Sequence, residues 1–140
     1  MKVLKFGGSS VGKPERIRSI VAILQKYQAR GDQFTVVFSA FGGVTDGLID
    51  MATKAERGDA GYVSAFEAVK KRHVDSAREL LSDAGFDAIM PLILKNTDDL
   101  NGVLRGIFLI HEVSPRTLDY VQIVGIFQNQ RHYCIKTIVR

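Results

Sequence analysis

Two short glycine-containing segments are the places in this 140-residue chain where residue type and spacing could do chemistry. The first is Lys5-Phe6-Gly7-Gly8-Ser9-Ser10. Two adjacent glycines let backbone N–H groups come close to an anion, because no Cβ stands in the way. Ser9 and Ser10 add hydroxyl donors, and Lys5 can aim a cation at the same anion. The local pattern fits a second reading equally well: a tight turn with Ser10 as a helix cap and Lys5 in solvent. Gly7-x-x-x-x-Gly12-Lys13 matches the glycine spacing of a P-loop. The next residue, however, is Pro14, where a Ser or Thr hydroxyl would be needed for magnesium. Ser9 stands where the dinucleotide fingerprint needs its third-position glycine, so neither motif is satisfied.

The second segment is Ser39-Ala40-Phe41-Gly42-Gly43-Val44-Thr45-Asp46. Ser39 and Thr45 offer hydroxyls, and Gly42-Gly43 offers bare backbone. An anionic small molecule could be held here, facing the first loop. Taken alone, the segment is read more simply: Ser39 closes a turn and Thr45 caps a helix.

Other reactive side chains carry less. His73 and His111 lie on apolar helix stripes with no carboxylate or cysteine at ligand spacing, which fits core histidines better than metal ligands. Lys70-Lys71-Arg72 reads as a solvated helix face. Cys134 is the single cysteine, which excludes a disulfide framework and a multi-cysteine zinc site; it is given no role.

The elements that must position the two loops follow from periodicity. Val3 to Phe6 is a strand, and Pro14 opens a helix at its first position. Ile17, Ile20, Val21, Leu24 and Tyr27 then give that helix one apolar face, and Gly31-Asp32 ends it. Phe34 to Phe38 is β-branched and aromatic, as in a strand buried on both faces of a parallel sheet. Strand, glycine loop, helix, strand is an α/β unit with a right-handed crossover. A helix to about Arg57 follows, and Gly58 to Gly61 breaks it. Ser64-x-x-Glu67 has the form of a capping box, and Ser82 to Asp87 reads as a turn. Residues 61–111 therefore read as a helical hairpin inserted after the second strand. Ser114-Pro115 starts one more helix, with Ser114 as N-cap.

Composition is that of a globular domain: 46% hydrophobic, 24% charged, net charge +4. The charge is uneven. Residues 123–140 hold Arg131, Lys136 and Arg140 and no acid, so residues 1–122 carry a net of only +1. That distribution excludes the footprint of a dedicated nucleic-acid binder. No apolar run reaches the ~18 to 20 residues of a membrane span. The start, Met1-Lys2-Val3-Leu4-Lys5, reads as the approach to a strand and not as a signal peptide.

Lys5-Phe6-Gly7-Gly8-Ser9-Ser10-Val11 resembles the signature of the aspartate kinases, in which K-F-G-G-[ST]-S is the nucleotide loop. Ser39-Ala40-x-x-Gly43-x-Thr45-Asp46 resembles that family's aspartate-binding loop. The hairpin and Ile110 to Asp119 are similar to the N-terminal part of the fused aspartokinase–homoserine dehydrogenases. The resemblance covers residues 1–122. It implies an α/β amino-acid-kinase fold, with a parallel-rich sheet sandwiched by helices, here incomplete and carrying the inserted hairpin. It implies ATP with Mg²⁺, L-aspartate as acceptor and 4-phospho-L-aspartate as product, on the route to lysine, threonine and methionine. It assigns Lys5 to the transferring phosphate as the catalytic residue. Gly7, Gly8, Ser9 and Ser10 would hold phosphates, and Ser39 and Thr45 would hold aspartate. A cytoplasmic homo-oligomer is implied for the full-length family. Another amino-acid kinase, acting on a carboxylate or carbamate, fits the Ser39 to Thr45 loop less well.

At Ile123 the pattern changes. The family continues with S-F-G-E, whose glutamate is a substrate-site residue; here the stretch is Ile123-Val124-Gly125-Ile126. The helical register is expected to stop there, leaving 123–140 as a divergent basic tail. This division leads to an expected truncated or frame-shifted product: an inactive fragment, or one that acts only by association or misfolds. An S-F-G-E continuation in another frame of the gene would support this; none in any frame would count against it.

Overall fold

The computed structural model describes residues 2–125; the expectations about Ile126 and the basic residues and cysteine beyond it fall outside that range. The chain is an α/β unit followed by a helical bundle. Strand β1 (Lys2–Phe6) leads through the first glycine loop to α1 (Pro14–Ala29) and back to β2 (Phe34–Phe38). The strands pair in parallel, Lys5 opposite Val37 and Phe6 opposite Phe38. Helices α2 (Val44–Glu56), α3 (Gly61–Leu80), α4 (Asp83–Ile110) and α5 (Pro115–Gly125) follow. The α/β class and the inserted hairpin, now α3 and α4, are as the sequence indicates.

The strands alternate. Leu4, Phe6, Phe34, Val36 and Phe38 pack against a core that includes Ile17, Ile20 and Leu24 of α1. Val3, Lys5, Thr35 and Val37 face outward and are exposed, Val3 at 64% and Val37 at 46%. This corrects the expectation that β2 is buried on both faces. Among the described residues the helices cover one side of the sheet, so the second apolar set of β2 has nothing to pack against.

The centre of the bundle is α2. Leu48, Met51, Ala52 and Ala55 are fully buried, with Leu100, Leu104 and Ile107 of α4 and Val121 of α5 in the same cluster. Recurrence every three or four residues puts each set on one face of its helix. Ala77 of α3 with Phe86, Ile89 and Ile93 of α4 form a second, smaller cluster.

Three helix boundaries differ from the sequence expectation. Ser64 and Glu67 are not a capping box, because α3 has already started at Gly61. The Ser64 hydroxyl donates back to the Gly61 carbonyl at 2.9 Å, and Asp59 accepts from the Gly61 amide at 2.7 Å. Ser82 to Asp87 is not a turn. Ser82 caps α4 by accepting from the Gly85 amide at 3.3 Å, and Asp83 sits in the first turn, where the dipole favours an acid. That helix runs 28 residues and carries Pro91 within it. Finally, α5 continues through Ile123 to Gly125, with Gly125 buried. Its start is as expected: Ser114 accepts from the Thr117 amide at 3.1 Å, ahead of Pro115.

Candidate functional site

Parallel pairing brings the C-terminal ends of β1 and β2 side by side, so the loops that leave them are neighbours. Ligands in open parallel sheets sit at this edge. The Ser39 amide donates to the Phe6 carbonyl at 2.9 Å, which carries the ladder up to the start of the second loop. The first loop then closes on itself: the Ser10 and Val11 amides both donate to the Gly7 carbonyl, at 2.9 and 3.2 Å. Val11 is buried and anchors the turn in the core.

The two loops meet backbone to backbone. A Cβ at Gly8 would stand 3.2 Å from the Ala40 carbonyl oxygen and 3.6 Å from Gly42 Cα. One at Gly12 would stand 3.2 Å from the Gly8 carbonyl oxygen. Glycine at position 8 is thus what allows the approach, and it leaves a cradle lined by peptide groups. Such a surface suits phosphate oxygens, which are bound by several N–H donors at once.

Both loops lead into helix N-termini, where unpaired amides and the helix dipole favour anions. Lys13 occupies the N-cap position of α1, with Pro14 at the first helical position, as the sequence indicates. Gly43 occupies that position in α2 with a left-handed φ of 79°, and no side chain caps it. Thr45 is therefore inside the first turn of α2 and is not its cap, which removes the simpler reading of this residue. Ser10 likewise lies outside the cap position of α1. Lys5 and Lys13 are the lysines of the first loop and its strand end, whereas Lys2 stands at the far end of β1 and pairs with Asp32 at 3.2 Å. Arg16 adds a guanidinium that donates to the Ser9 carbonyl.

Lys5, Gly7, Gly8, Ser9 and Ser10 fall on one strand end and its loop. Ser39 and Thr45 flank the adjoining loop. Lys5 itself is exposed on the open side of the sheet, opposite to Phe6 and the helices.

The sequence reading missed Arg72. Its place in a run of three bases suggested solvent, yet it is half-buried and spans the two loops. One guanidinium nitrogen donates to the Gly42 carbonyl at 2.9 Å, the other to the Gly12 carbonyl at 3.1 Å. The group also lies 5.5 Å from the centre of the Phe41 ring. A signal was present: position 72 borders the apolar stripe of Phe66, Val69, His73 and Ala77, so α3 packing had to draw it inward. Lys71 pairs with Asp75 one turn on, as a surface lysine does.

The two histidines behave as core and boundary residues. His73 is buried, its Nδ1 2.8 Å from the Val69 carbonyl and its ring 5.1 Å from that of Phe41. His111 ends α4 in a left-handed conformation, φ 55°, with Nδ1 3.2 Å from the Glu56 carbonyl. A cleft of about 410 Å³ opens beside Arg72 between α1 and α3. Lys71 and Arg72 line it together with Asp75 and Glu79, so its charges offset one another, and Lys71 and Asp75 already pair.

A strand, glycine loop, helix and parallel strand, with a second glycine loop at the same sheet edge, define an α/β unit. A model of the amino acid kinase family matches residues 1–123. The chain belongs to the amino acid kinase family. The bifunctional aspartokinase/homoserine dehydrogenase 2, chloroplastic, of Arabidopsis thaliana is 33% identical over 119 residues, which is 85% of this chain and 13% of that protein. Aspartokinase 1, chloroplastic, of the same plant is 29% identical over 126 residues, 88% of this chain and 21% of that protein. The aspartate kinase of Pseudomonas fluorescens (strain SBW25) is 49% identical over 57 residues, 41% of this chain and 14% of that protein. The chain thus spans between 13% and 21% of the length of these curated relatives. No helix among the described residues is long and apolar enough to cross a membrane.

Proposed function

We propose that residues 1–122 are the N-terminal half of an aspartate kinase domain. The observation that carries this reading is the backbone contact between the two glycine loops at adjacent ends of parallel strands. In-line phosphoryl transfer is mainly positioning plus neutralisation of charge, so donor and acceptor loops must abut. In this reading Gly7, Gly8, Ser9 and Ser10 hold the ATP phosphates. Ser39 and Thr45 hold L-aspartate with its side-chain carboxylate towards the γ-phosphate. A carboxylate oxygen attacks phosphorus, the bond to the β–γ bridging oxygen breaks, and 4-phospho-L-aspartate and ADP leave. Lys5 neutralises charge on the phosphoryl group as it moves.

Magnesium enters with the nucleotide. The described residues hold no group of three His, Cys, Asp or Glu side chains placed to share a metal. An ion brought by ATP would be held largely by phosphate oxygens and water, as is usual in phosphoryl-transfer sites, and would supply neutralisation of phosphate charge.

Biosynthesis of lysine, threonine and methionine, a cytoplasmic location and a homo-oligomer in the full-length protein belong to the same proposal. The plant relatives named above are chloroplastic by name.

The 140-residue chain by itself is proposed to be inactive, or to act only by association. The exposed Val3 and Val37 on the open sheet face support this, since an apolar face without cover favours association over turnover. Two measurements separate binding from catalysis. The magnesium complex of a non-hydrolysable ATP analogue should raise the melting temperature of the wild-type chain more than that of Lys5→Ala, by the mass action of a ligand on the folded state. Aspartate-dependent ATP turnover should be the same in the two proteins. Robust Lys5-dependent turnover would overturn the inactivity. Equal melting shifts in the two proteins would overturn the role given to Lys5.

A further inference from the structure

We propose that Arg72 is a positioning residue that fixes the separation of the two glycine loops. The loops have no side chain of their own to set that distance where they touch, since Gly8, Gly12 and Gly42 form the contact. Arg72 comes from a third element, α3, and donates to Gly42 and Gly12 from the two ends of one planar fork, at 2.9 and 3.1 Å. The spacing of those nitrogens is covalent, so the two carbonyls are held at one separation. The same helix holds the second loop at another point. Phe41 is buried, with the guanidinium 5.5 Å and the His73 ring 5.1 Å from its ring.

The peptide units involved give the contact a chemical consequence. The carbonyl of Gly12 and the N–H of Lys13 belong to one peptide, as do the carbonyl of Gly42 and the N–H of Gly43. Those N–H groups stand at the N-cap positions of α1 and α2. A guanidinium on each carbonyl polarises the peptide and makes its N–H a better donor, by about 10–30% per bond in a hydrogen-bonded chain. Arg72 thus ties two helix N-termini together and strengthens both as anion sites. For transfer between ligands on the two loops the separation matters, because a misplacement of ~1 Å costs about a hundredfold in rate. The inference rests on the proposed function only for what the loops hold.

Amide hydrogen exchange on the full chain, without ligand, tests the clamp. In Arg72→Ala the hydrogen-bonded loop amides of Ser10, Val11 and Val44 should exchange about tenfold faster or more, the scale of one lost charge-assisted hydrogen bond. Those of Leu100 and Leu104 in α4 should stay as in the wild type. Arg72→Lys should not restore the loops, since an ammonium presents its donors from one atom. Guanidinium ion at millimolar concentration should restore them in Arg72→Ala. Lys71→Ala should match the wild type. Wild-type exchange at both loops in Arg72→Ala, or full protection in Arg72→Lys, would overturn the proposal. Should Arg72→Ala also lose protection in α4, Arg72→Lys decides: selective loosening of the loops supports the clamp, and its absence refutes it. A second arm reads ligand affinity. Inorganic pyrophosphate should bind Arg72→Ala about tenfold more weakly than Lys71→Ala, and equal affinities would overturn the polarising role. A wild-type chain whose loops gain no protection from ADP or aspartate, beside loosened loops in Arg72→Ala, would sink the substrate reading and leave the clamp standing.

Discussion

Replacing Gly125 by alanine tests the packing of the last described helix. An ideal Cβ at this position would stand 2.2 Å from Leu48 Cδ2, 2.7 Å from Cδ1 and 3.0 Å from Cγ. Carbon atoms settle at about 3.5–4.0 Å, so something must move by more than about 1 Å. Leu48 has nowhere to go, being fully buried on α2 beside Met51 and Ala52. Overpacking of this kind costs about 1–3 kcal/mol. Alanine in place of glycine in a helix returns about 0.8–1 kcal/mol. The clash is severe, so the overpacking cost belongs in the upper part of its range and the net loss should be about 1–2 kcal/mol. Leu48→Ala alone should cost about 2–5 kcal/mol by opening a cavity. In the double variant the new methyl occupies part of that cavity. The loss should then be smaller than the sum of the singles by about 1 kcal/mol or more. Urea unfolding followed by circular dichroism gives all four stabilities. A neutral or stabilising Gly125→Ala, or additivity within about 0.5 kcal/mol, would refute the reasoning.

Two smaller effects follow from the same structure. Ser114→Ala removes the side chain that accepts from the Thr117 amide at 3.1 Å, and should cost about 1 kcal/mol in urea unfolding, whereas Ser114→Asp should keep most of it. The Lys54 ammonium is held above the ordinary lysine value of 10.5, first by its hydrogen bond to Asp50 at 2.6 Å, which outweighs the opposing effect of burial, and to a lesser degree by the charges of Asp50 and Asp59. A raised lysine pKa stabilises the fold fully below the unfolded value, and that contribution disappears as the pH climbs above 10.5 through the folded value. Thermal melting from pH 8 upward should show a small loss at the alkaline end that is absent in Asp50→Asn; the same alkaline slope in both would contradict it.

Much of the fold could be read from local chemistry. Pro14 and Ser114-Pro115 mark helix starts because proline and serine act within one turn. The parallel unit was legible from the order of strand, glycine loop, helix and strand. The misreadings share a cause, which is that distant packing decided the outcome. Ser64 and Glu67 match a capping box, yet the pattern fits the interior of a helix equally well once Asp59 has supplied the start. Ser82 to Asp87 contains turn formers, but Phe86 and Ile89 have a partner face on α3, and the helix forms with Ser82 as its cap. The register seemed lost at Ile123 because Gly125 has no side chain to show that it lies against Leu48. Val37 looked like a doubly buried residue because a β-branched run says nothing about how many faces are covered. At the site, the glycines and Lys5 were visible as types, whereas Arg72 was hidden in a basic run whose members differ only in where α3 points them.

If the two loops hold donor and acceptor side by side, each should answer to its own ligand. Amide chemical shifts of the isotope-labelled chain are to be titrated with the magnesium complex of a non-hydrolysable ATP analogue and separately with L-aspartate. Changes should centre on residues 5–13 for the nucleotide and 39–46 for aspartate, with the nucleotide response weakened in Lys5→Ala. Changes that fall elsewhere, on the cleft lined by Asp75 and Glu79 for example, or no response to either ligand, would contradict it.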